Sequence, residues 1–402
     1  MGRIGIYGGT FNPPHVGHVE GAKQAIELLK LDKLLLIPDR EPPHKELPQD
    51  APTPQQRLEL VSLAAQQIPG AEVCDVELHR QGVSYTSDTL EALHEIYRRD
   101  KLYLIMGTDM FLSFHHWYQT EKICRHATLA VLLREQRDQK QRALLQDQAQ
   151  YVRAVLGGKV KFLENDILPM SSTNVRRMLV FQAPDGIIPE TVLSRIRELG
   201  LYGIHRDLRG LTEADLEKAV TALLDPKRVP HVLGCRDTAV YLAKKYGADP
   251  VDAARAGLLH DVTKALPPEL QRKICTDYNA PIHRYVNENP KTLHAVTGAL
   301  VAERIFGENE AVCRAVDSHT TGCANMDTLQ KIIYIADYME PNRDFPGVEH
   351  LRELAEKDLD RAVLTGIEMT VEVLRQQGRR VSDNSQAAIE WLKNKVCNSA
   401  MR

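Results

Sequence analysis

The sequence predicts two domains of different fold class: an α/β domain with a doubly wound parallel sheet, followed by an all-helical domain. As far as about residue 200, short apolar runs of strand length alternate with helical patterns, which is typical of a parallel sheet covered by helices on both faces. Beyond that point helical patterns follow one another without a strand. The length of 402 residues also suggests two or three domains, at about 150 residues per domain.

The first half of the chain contains six predicted strands. In one of them, KLLLIP, a continuous apolar run follows Lys33, as expected for a parallel strand buried on both faces. The predicted strands are Ile4–Tyr7, Lys33–Pro38, Glu72–Leu78, Leu102–Met106, Ala127–Leu133 and Lys159–Leu163. The predicted helices between and after them are Val16–Leu29, Pro54–Ile68, Asp88–Arg98, Asp138–Leu156, one that starts at Ser171, and Pro189–Leu199. In such a sheet, ligands bind at the C-terminal ends of the strands.

A domain boundary is predicted where one helix stops and another begins. Gly200-Leu201-Tyr202-Gly203 is a helix stop, and Thr212 is a typical N-cap for the next helix. We therefore expect domains at residues 1–203 and 212–402, joined by a linker at 204–211. The second domain is expected to contain the helices Pro230–Tyr246, Ala253–Lys264, His294–Phe306 and Lys331–Met339.

Composition excludes several classes of protein. The formal net charge of −3 argues against a general nucleic-acid binder, which would carry a basic excess. No apolar run is long enough to span a membrane, and Met1 leads directly into the first strand, so we expect neither a membrane association nor a signal peptide. Seven cysteines without a CxxC pair indicate reduced thiols and a cytoplasmic protein.

The first candidate site is the turn between the first strand and the first helix. Its residues are Gly8-Gly9-Thr10-Phe11-Asn12-Pro13-Pro14-His15-Val16-Gly17-His18. Glycines before a helix N-terminus favour phosphate binding, and the spacing of His15 and His18 puts both imidazoles on one face of the helix. The alternatives are a tight turn with two surface histidines or a two-histidine metal site. The stretch resembles the GxFxPxHxGH signature of nucleotidyltransferases that join a mononucleotide to ATP and release pyrophosphate.

Polar segments also follow the other predicted strands. They are Pro42-Pro43-His44-Lys45, Gly82-Val83-Ser84-Tyr85-Thr86, Gly107-Thr108-Asp109 with Trp117 shortly after, and Ser171-Ser172-Thr173-Asn174-Val175-Arg176. Each segment alone is compatible with an ordinary loop or helix cap. Because all of them fall at strand ends, together they indicate one binding site.

With these segments, residues 1–202 resemble the bacterial nicotinate-nucleotide adenylyltransferases. The resemblance implies transfer of an adenylyl group from ATP, accompanied by Mg²⁺, to nicotinate mononucleotide. It implies that His15, His18 and Arg176 hold the ATP phosphates, with Ser172 and Thr173 as further donors. The turn residues Gly8, Gly9, Thr10 and Phe11 are implied to bind substrate, as is Gly107. For the mononucleotide it implies that Lys45 with His44 meets the phosphate and that the backbone around Tyr85 and Thr86 meets the pyridine carboxylate. Trp117 is implied to stack on the ring, and Asp109 to lie close to the ribose and the reacting centre. A transferase for another small phosphate, such as phosphopantetheine, is the nearest alternative.

The second half of the chain distributes metal-ligand residue types over separate predicted helices. They are His231, His260, Asp261, His294, His319 and Asp337. Such a set suits a metal site inside a helical bundle, and imidazole with carboxylate points to iron, manganese or a similar ion. The alternative for each histidine alone is a helix-end or core residue with a satisfied hydrogen bond.

The H…HD…D pattern resembles the HD phosphohydrolases, and the segments CRDTAVYLA, LLHDVTK, LHAVTGALVAE, SHTTG and IYIADYMEPNRDFPGV resemble the YqeK-type proteins over about residues 213–395. The resemblance implies symmetrical hydrolysis of diadenosine tetraphosphate to two ADP at one or two divalent or iron ions. His231, His260, Asp261 and Asp337 are implied to hold one ion, with Asp261 bridging to a second ion held by His294 and His319. Lys264 and Arg343 are implied to meet phosphate.

Two alternatives concern the helical domain. It could be a non-catalytic metal-bound module that regulates the transferase or mediates dimerisation. If it is catalytic, guanosine tetraphosphate or cyclic nucleotides are other substrates that an HD fold accommodates. We expect the protein to form a homo-oligomer, most simply a dimer.

Overall fold

The computed structural model describes residues 1–42, 47, 51–133, 139–166 and 170–400. The chain divides into two compact units, Met1–His205 and Arg206–Arg402. Both predicted fold classes are confirmed, since the first unit is built on a parallel sheet and the second on helices. No helix among the described residues is long and apolar enough to cross a membrane.

The described part of the first unit forms one six-stranded parallel sheet in the order β3-β2-β1-β4-β5-β6. The strands are β1 Arg3–Gly9, β2 Lys33–Pro38, β3 Ala71–Val73, β4 Lys101–Gly107, β5 Ala127–Leu132 and β6 Lys159–Leu163. Residues Leu34–Ile37 of β2 are each at most 3% exposed, which explains why the strand is apolar after Lys33. The strand order reverses between β1 and β4, so a crevice for ligands is expected at their C-terminal ends.

The described residues of the first unit also contain eight α-helices. They are α1 Val16–Leu29, α2 Pro54–Ala65, α3 Thr86–Ile96, α4 Thr108–Leu112, α5 Thr120–His126, α6 Gln139–Ala154, α7 Ser172–Val180 and α8 Glu190–Leu199. The start of α2 shows why such segments are helical, because Thr53 accepts a hydrogen bond from the Gln56 amide and Pro54 occupies the first turn.

The predicted strand Glu72–Leu78 is wrong beyond Val73. Within the described residues, the strand β3 lies at the sheet edge and pairs with β2 alone. The chain then turns, with the amide of Leu78 donating to the carbonyl of Asp75. Val76 packs against the core cluster from this turn, so its apolar character reflects packing of a turn rather than strand alternation.

The described residues of the second unit contain helices and turns but no strand. The helices are α9 Glu213–Leu223, α10 Val229–Tyr246, α11 Pro250–Leu259, α12 Pro268–Asp277, α13 Arg284–Glu288, α14 Leu293–Arg304, α15 Glu310–Ser318, α16 Thr328–Met339, α17 Val348–Lys357, α18 Leu359–Gln376 and α19 Asp383–Ala400. The predicted helix Ala253–Lys264 is wrong at its end. Helix α11 stops at Leu259, and the chain continues in tight turns, with the amide of Val262 donating to the carbonyl of Leu259.

Candidate functional sites

A cavity of about 600 Å³ lies in the first unit at the C-terminal ends of β1 and β4. Most of the residues predicted for substrate binding line this one cavity: Gly8, Gly9, Thr10, Phe11, His15, His18, Thr86, Gly107, Asp109, Trp117, Ser172, Thr173 and Arg176. Tyr85 lies immediately before α3, and its ring packs on Tyr118 with ring centroids 4.6 Å apart. The predicted His44 and Lys45 lie outside the described residues.

His15 and His18 stack at the N-terminus of α1, with ring centroids 3.7 Å apart and ring planes inclined at 27°. His15 is the N-cap residue, and its main-chain amide donates to Nδ1 of His18 over 3.2 Å. Because Nδ1 accepts this bond, Nε2 of a neutral His18 ring carries the hydrogen and is a donor. The stacked imidazoles and the helix dipole together favour an anion at this end of α1.

The N-terminus of α7 is hydrogen-bonded to the same turn. Ser171 caps the helix by accepting from the amide of Asn174. Oγ of Ser172 donates to the carbonyl of Pro13 over 3.1 Å. Arg176 donates to the carbonyl of Asn12 over 2.7 Å and to Oγ1 of Thr173 over 3.2 Å. A second helix N-terminus and a guanidinium therefore lie on the wall of the cavity that the histidines line.

A buried ion pair that the sequence analysis missed is hydrogen-bonded to the glycine-rich turn at Thr10. The side chain of Arg57 is fully buried and donates to Asp39 Oδ1 over 2.9 Å and to the carbonyl of Thr10 over 3.0 Å. Oγ1 of Thr10 donates to the other Asp39 oxygen over 2.8 Å. Asp39 follows β2 directly, so its place at a strand end was a usable signal, whereas Arg57 lies in a helix with several other polar residues.

A second group of side chains that the sequence analysis missed is hydrogen-bonded to the first turns of α3. Oγ1 of Thr89 donates to Oε1 of Glu77 over 2.7 Å, and Arg80 donates to Thr89 and to the carbonyl of Asp88. Burial raises the pKa of Glu77, and the hydrogen bond from Thr89 opposes that shift. Glu77 and Thr89 also line the cavity near Thr86.

In the second unit, the predicted metal-ligand side chains converge into two groups that share one carboxylate. The first group is His231, His260 and Asp261, the second is Asp261, His294 and His319, and within each group the potential ligand atoms lie within 4.8 Å of one another. Asp337 joins the first group, because its Oδ1 lies 3.1 Å from Nε2 of His231. The predicted set of six residues is thus brought together.

The two oxygens of Asp261 point to different groups. Oδ2 lies 3.5 Å from Nε2 of His260, and Oδ1 lies 3.2 Å from Nε2 of His294. Within each group the two imidazole Nε2 atoms are 3.2 Å apart, between His231 and His260 and between His294 and His319. Ligands at about 2.1 Å from one ion and at right angles would be separated by about 3 Å.

The opposite ring nitrogens of three of these histidines are occupied by acceptors. Nδ1 of His260 contacts the carbonyl of Gly257 at 2.7 Å, and Nδ1 of His319 contacts the carbonyl of Val316 at 2.6 Å. Nδ1 of His231 contacts Glu340 at 3.0 Å. This arrangement leaves Nε2 for a metal ion and is the usual outer shell of metal-binding histidines. The donor set therefore fits divalent ions that accept imidazole and carboxylate.

Cationic side chains balance the buried carboxylates. Arg228 contacts Asp261 through Nε at 2.6 Å and also through Nη2, and Nζ of Lys264 lies 3.3 Å from the other Asp261 oxygen. Arg343 donates to Asp337 over 2.6 Å. Burial acts to raise the pKa of Asp261, but the neighbouring imidazoles, led by His260, hold that pKa well below its usual range. Arg228 and Glu340 were missed by the sequence analysis, although each lies close to a predicted ligand in sequence.

Comparison with known proteins gives a separate result for each unit. A cytidylyltransferase-like family model matches residues 6–178, and an HD domain model matches residues 228–342. A probable nicotinate-nucleotide adenylyltransferase of Pseudomonas syringae is 37% identical over 209 residues, which are 50% of this chain and 93% of that protein. A symmetrical bis(5′-nucleosyl)-tetraphosphatase of Bacillus subtilis is 37% identical over 170 residues, 42% of this chain and 91% of that protein. The chain therefore belongs to the nicotinate-nucleotide adenylyltransferase family through its first unit and to the symmetrical bis(5′-nucleosyl)-tetraphosphatase family through its second unit.

The match to the adenylyltransferase family therefore accounts for the unit with the parallel sheet, and the match to the tetraphosphatase family accounts for the helical unit. Among solved structures, a predicted HD superfamily hydrolase involved in NAD metabolism from Clostridium acetobutylicum is 37% identical, with a TM-score of 0.45, and covers 46% of this chain and 98% of that chain.

Proposed function

We propose that the chain is a bifunctional enzyme. Residues 1–203 transfer an adenylyl group from ATP to nicotinate mononucleotide, and residues 212–402 hydrolyse diadenosine tetraphosphate to two ADP, with 204–211 as the linker. Membership of the two families supports both activities. The cavity beside β1 and β4 and the histidine–aspartate cluster of the helical unit supply the chemistry that each reaction needs.

The convergence of His15, His18 and Arg176 on one cavity carries the transferase proposal. A phosphate oxygen of the mononucleotide attacks the α-phosphorus of ATP, the bond to the pyrophosphate breaks, and pyrophosphate leaves. The attacking phosphate is already ionised, so the protein needs no covalent nucleophile and acts by positioning and by neutralising charge. The two imidazoles and the guanidinium would donate to the α-phosphate and the departing pyrophosphate. Bound Mg²⁺ would supply further neutralisation of the triphosphate.

The acceptor half of the cavity suits a pyridine mononucleotide. Trp117 lines the cavity and offers a face for the ring, and the first turn of α3 at Thr86 offers main-chain amides for the pyridine carboxylate. Asp109 lies at the start of α4 on the cavity wall, where it would meet the ribose. The roles of His44 and Lys45 at the mononucleotide phosphate stay predictions.

The transferase assignment is tested by measuring pyrophosphate release from ATP with three acceptors. These are nicotinate mononucleotide, nicotinamide mononucleotide and phosphopantetheine. We expect the highest kcat/KM with nicotinate mononucleotide, and loss of about 100-fold or more in kcat for His18→Ala, because that ring acts on the developing charge. Equal turnover of the three acceptors, or a preference for either of the others, contradicts the assignment.

The sharing of Asp261 between two three-residue groups carries the hydrolase proposal. His231, His260, Asp261 and Asp337 would hold one divalent ion, and Asp261, His294 and His319 would hold a second. The ions would supply Lewis-acid polarisation of phosphate oxygens and an activated water. Lys264 and Arg343, which neutralise Asp261 and Asp337, are close enough to the cluster to contact the phosphates of a bound substrate.

The hydrolase assignment is tested by metal analysis of the purified protein together with hydrolysis of diadenosine tetraphosphate. We expect bound divalent metal and ADP as the product, because symmetrical cleavage divides the four phosphates equally. Asp261→Asn is expected to remove both the metal and the turnover while leaving pyrophosphate release by the first unit intact. Bound metal without turnover would instead indicate a regulatory module, and ATP plus AMP as products would contradict symmetrical cleavage.

A further inference from the structure

The imidazole of His231 is held at both ring nitrogens by carboxylates from the end of one helix. Nε2 lies 3.1 Å from Oδ1 of Asp337, and Nδ1 lies 3.0 Å from Oε1 of Glu340. Asp337 belongs to the last turn of α16, and Glu340 is the residue that caps this helix. Side chains three residues apart lie on the same side of a helix, so the end of α16 presents both carboxylates to one ring.

Glu340 fixes which nitrogen of His231 carries the hydrogen. A carboxylate only accepts hydrogen bonds, so the contact at Nδ1 requires the hydrogen to be on Nδ1. The contact of Nε2 with Asp337 is of a different kind, because both atoms belong to the proposed ligand set and would face one ion. With that ion bound, the ring keeps its hydrogen on Nδ1, and the lone pair of Nε2 points to the ion beside His260 and Asp261. We infer that Glu340 is a positioning residue for the first metal position: it sets the tautomer and the orientation of His231. The inference rests on the proposed metal site, and Glu340 itself is no ligand in it.

The surroundings of Glu340 show that its place is built into the fold. Its side chain is 1% exposed, and its second oxygen, Oε2, accepts from the main-chain amide and the side-chain amide of Asn342 over 2.7 and 2.8 Å. A Cβ at Gly234, one turn after His231 on α10, would lie 2.3 Å from Oε2. Only glycine at this position leaves room for the carboxylate. Oε2 is thus immobilised, and Oε1 is directed to the imidazole.

The effect of Glu340 is confined to one of the two groups of ligands. His231 belongs to the first group, whereas the second group consists of Asp261, His294 and His319. Among the described residues, the hydrogen bonds of the Glu340 side chain go to His231 and Asn342. Removing the carboxylate should therefore weaken the first metal position and leave the second one unchanged.

The test is a calorimetric titration of Mn²⁺ into the metal-free full-length protein. For Glu340→Gln we expect the affinity of one position to fall about 10–100-fold, as is typical when an outer-shell partner of a ligand is changed, and the other to stay as in the wild type. Glu340→Ala should weaken the same position further, because it also frees the ring. Asn342→Ala is the matched control: it removes one bond to Oε2 but keeps the contact with His231, so both affinities should stay near wild type.

Gly234→Ala gives an independent variant that leaves every ligand and Glu340 in the sequence. Because its methyl group displaces Oε2, the same metal position should weaken. Wild-type protein that binds no Mn²⁺ would overturn the proposed metal site itself. Wild-type protein that binds two ions, with Glu340→Gln and Glu340→Ala binding both equally well, would overturn only the role of Glu340. Equal losses in Glu340→Gln and Asn342→Ala would also overturn it, since the residue would then act only by shaping the turn.

Discussion

The guanidinium of Arg176 donates a hydrogen bond to the main-chain oxygen of Asn12 across 2.7 Å, which joins α7 to the turn that carries His15. The same side chain lines the cavity proposed for ATP. Arg176→Ala should therefore lower kcat/KM for pyrophosphate release about 100-fold, the scale expected when a preorganised donor to developing charge is lost. Steady-state kinetics with ATP as the varied substrate measure this change.

Arg176→Lys separates charge from geometry. Lysine keeps the positive charge but lacks the planar fork that can bond Asn12 and a phosphate together. We expect its kcat/KM to lie between those of the wild type and Arg176→Ala. Arg125→Ala removes an exposed arginine of α5 and should leave the kinetics unchanged. Wild-type kinetics in Arg176→Ala would exclude the arginine from the reaction.

Asp39 and Arg57 should contribute more to stability than any exposed ion pair of the first unit. Because the Arg57 side chain is fully buried, Arg57→Met leaves Asp39 without its charged partner and should lower the free energy of unfolding by roughly 3–5 kcal/mol. Urea unfolding measures the loss. Adding Asp39→Asn to Arg57→Met should restore part of it, since the uncompensated charge is then removed. A double variant less stable than Arg57→Met would contradict this account.

The sequence was most informative where chemistry and strand ends coincide. Gly8, His18, Asp109 and Arg176 come from distant parts of the chain, yet the rule that ligands bind at the carboxyl ends of parallel strands predicted one cavity, and the structure brings them to it. The helical half was predictable in a different way. Its ligand types were recognised from composition and spacing, and the sharing of Asp261 was implied by the family resemblance.

The sequence was least informative about residues that act through another residue. Arg57 and Glu340 are charged residues, which the sequence pattern alone would place on the surface. Both are buried, and the partners that explain this burial are distant in sequence. The end of α11 was missed because the apolar pattern continues through Val262, while the backbone tightens into turns that direct Asp261 inward. Tertiary contacts decide such features, and local pattern does not encode them.

The buried carboxyl group of Glu77 should make the stability of the first unit depend on pH. Burial raises its pKa, so the folded state holds this proton more tightly than the unfolded state, whose glutamate titrates near pH 4.3. The stabilising contribution is complete below the unfolded pKa and is lost as the pH rises through the folded pKa. Glu77→Gln keeps an acceptor for Thr89 without the charge, so its Tm relative to the wild type should rise as the pH increases from about 4 through the folded pKa and should then level off.

Thermal unfolding of the two proteins in parallel isolates this effect, because every other titrating group is common to both. Glu91→Gln serves as a control. Glu91 is an exposed carboxylate whose pKa is lowered by the hydrogen bond from Lys122, so this variant should gain no advantage as the pH rises. A constant Tm difference between Glu77→Gln and the wild type across this range would show that Glu77 does not titrate differently on folding.

The two groups around Asp261 predict separable metal positions. His231→Ala should remove the first position, His294→Ala the second, and Asp261→Asn both, because only Asp261 belongs to both groups. Each occupied position should stabilise the helical unit by about 2.7 kcal/mol when free metal is at 100 times its Kd. The difference between the Tm with added Mn²⁺ and the Tm after a chelator has removed the metal measures this stabilisation. Equal metal-induced shifts in His231→Ala and Asp261→Asn would contradict two positions.

Two glycine-to-alanine substitutions in the helical unit, at Gly257 and at Gly366, are expected to change the free energy of unfolding in opposite directions. A Cβ at Gly257 on α11 would lie 2.7 Å from Cα of Arg236, so the methyl group must push α11 away from α10. Gly257→Ala should lower the free energy of unfolding by about 1–3 kcal/mol, as overpacking of a close contact does. The carbonyl oxygen of Gly257 also accepts a hydrogen bond from Nδ1 of His260. Displacement of α11 should therefore move this imidazole and weaken binding of Mn²⁺ at the first position.

Gly366 in α18 is the matched control for this experiment. A Cβ there would meet its nearest atom, Cδ1 of Ile335, at an ordinary contact distance of 3.4 Å. Gly366→Ala should therefore raise the free energy of unfolding by up to about 1 kcal/mol through helix propensity and leave Mn²⁺ binding unchanged. Urea unfolding and metal titration of both variants give the comparison. If Gly257→Ala is as stable as Gly366→Ala, the approach of α10 to α11 at Gly257 does not set the spacing between His231 and His260.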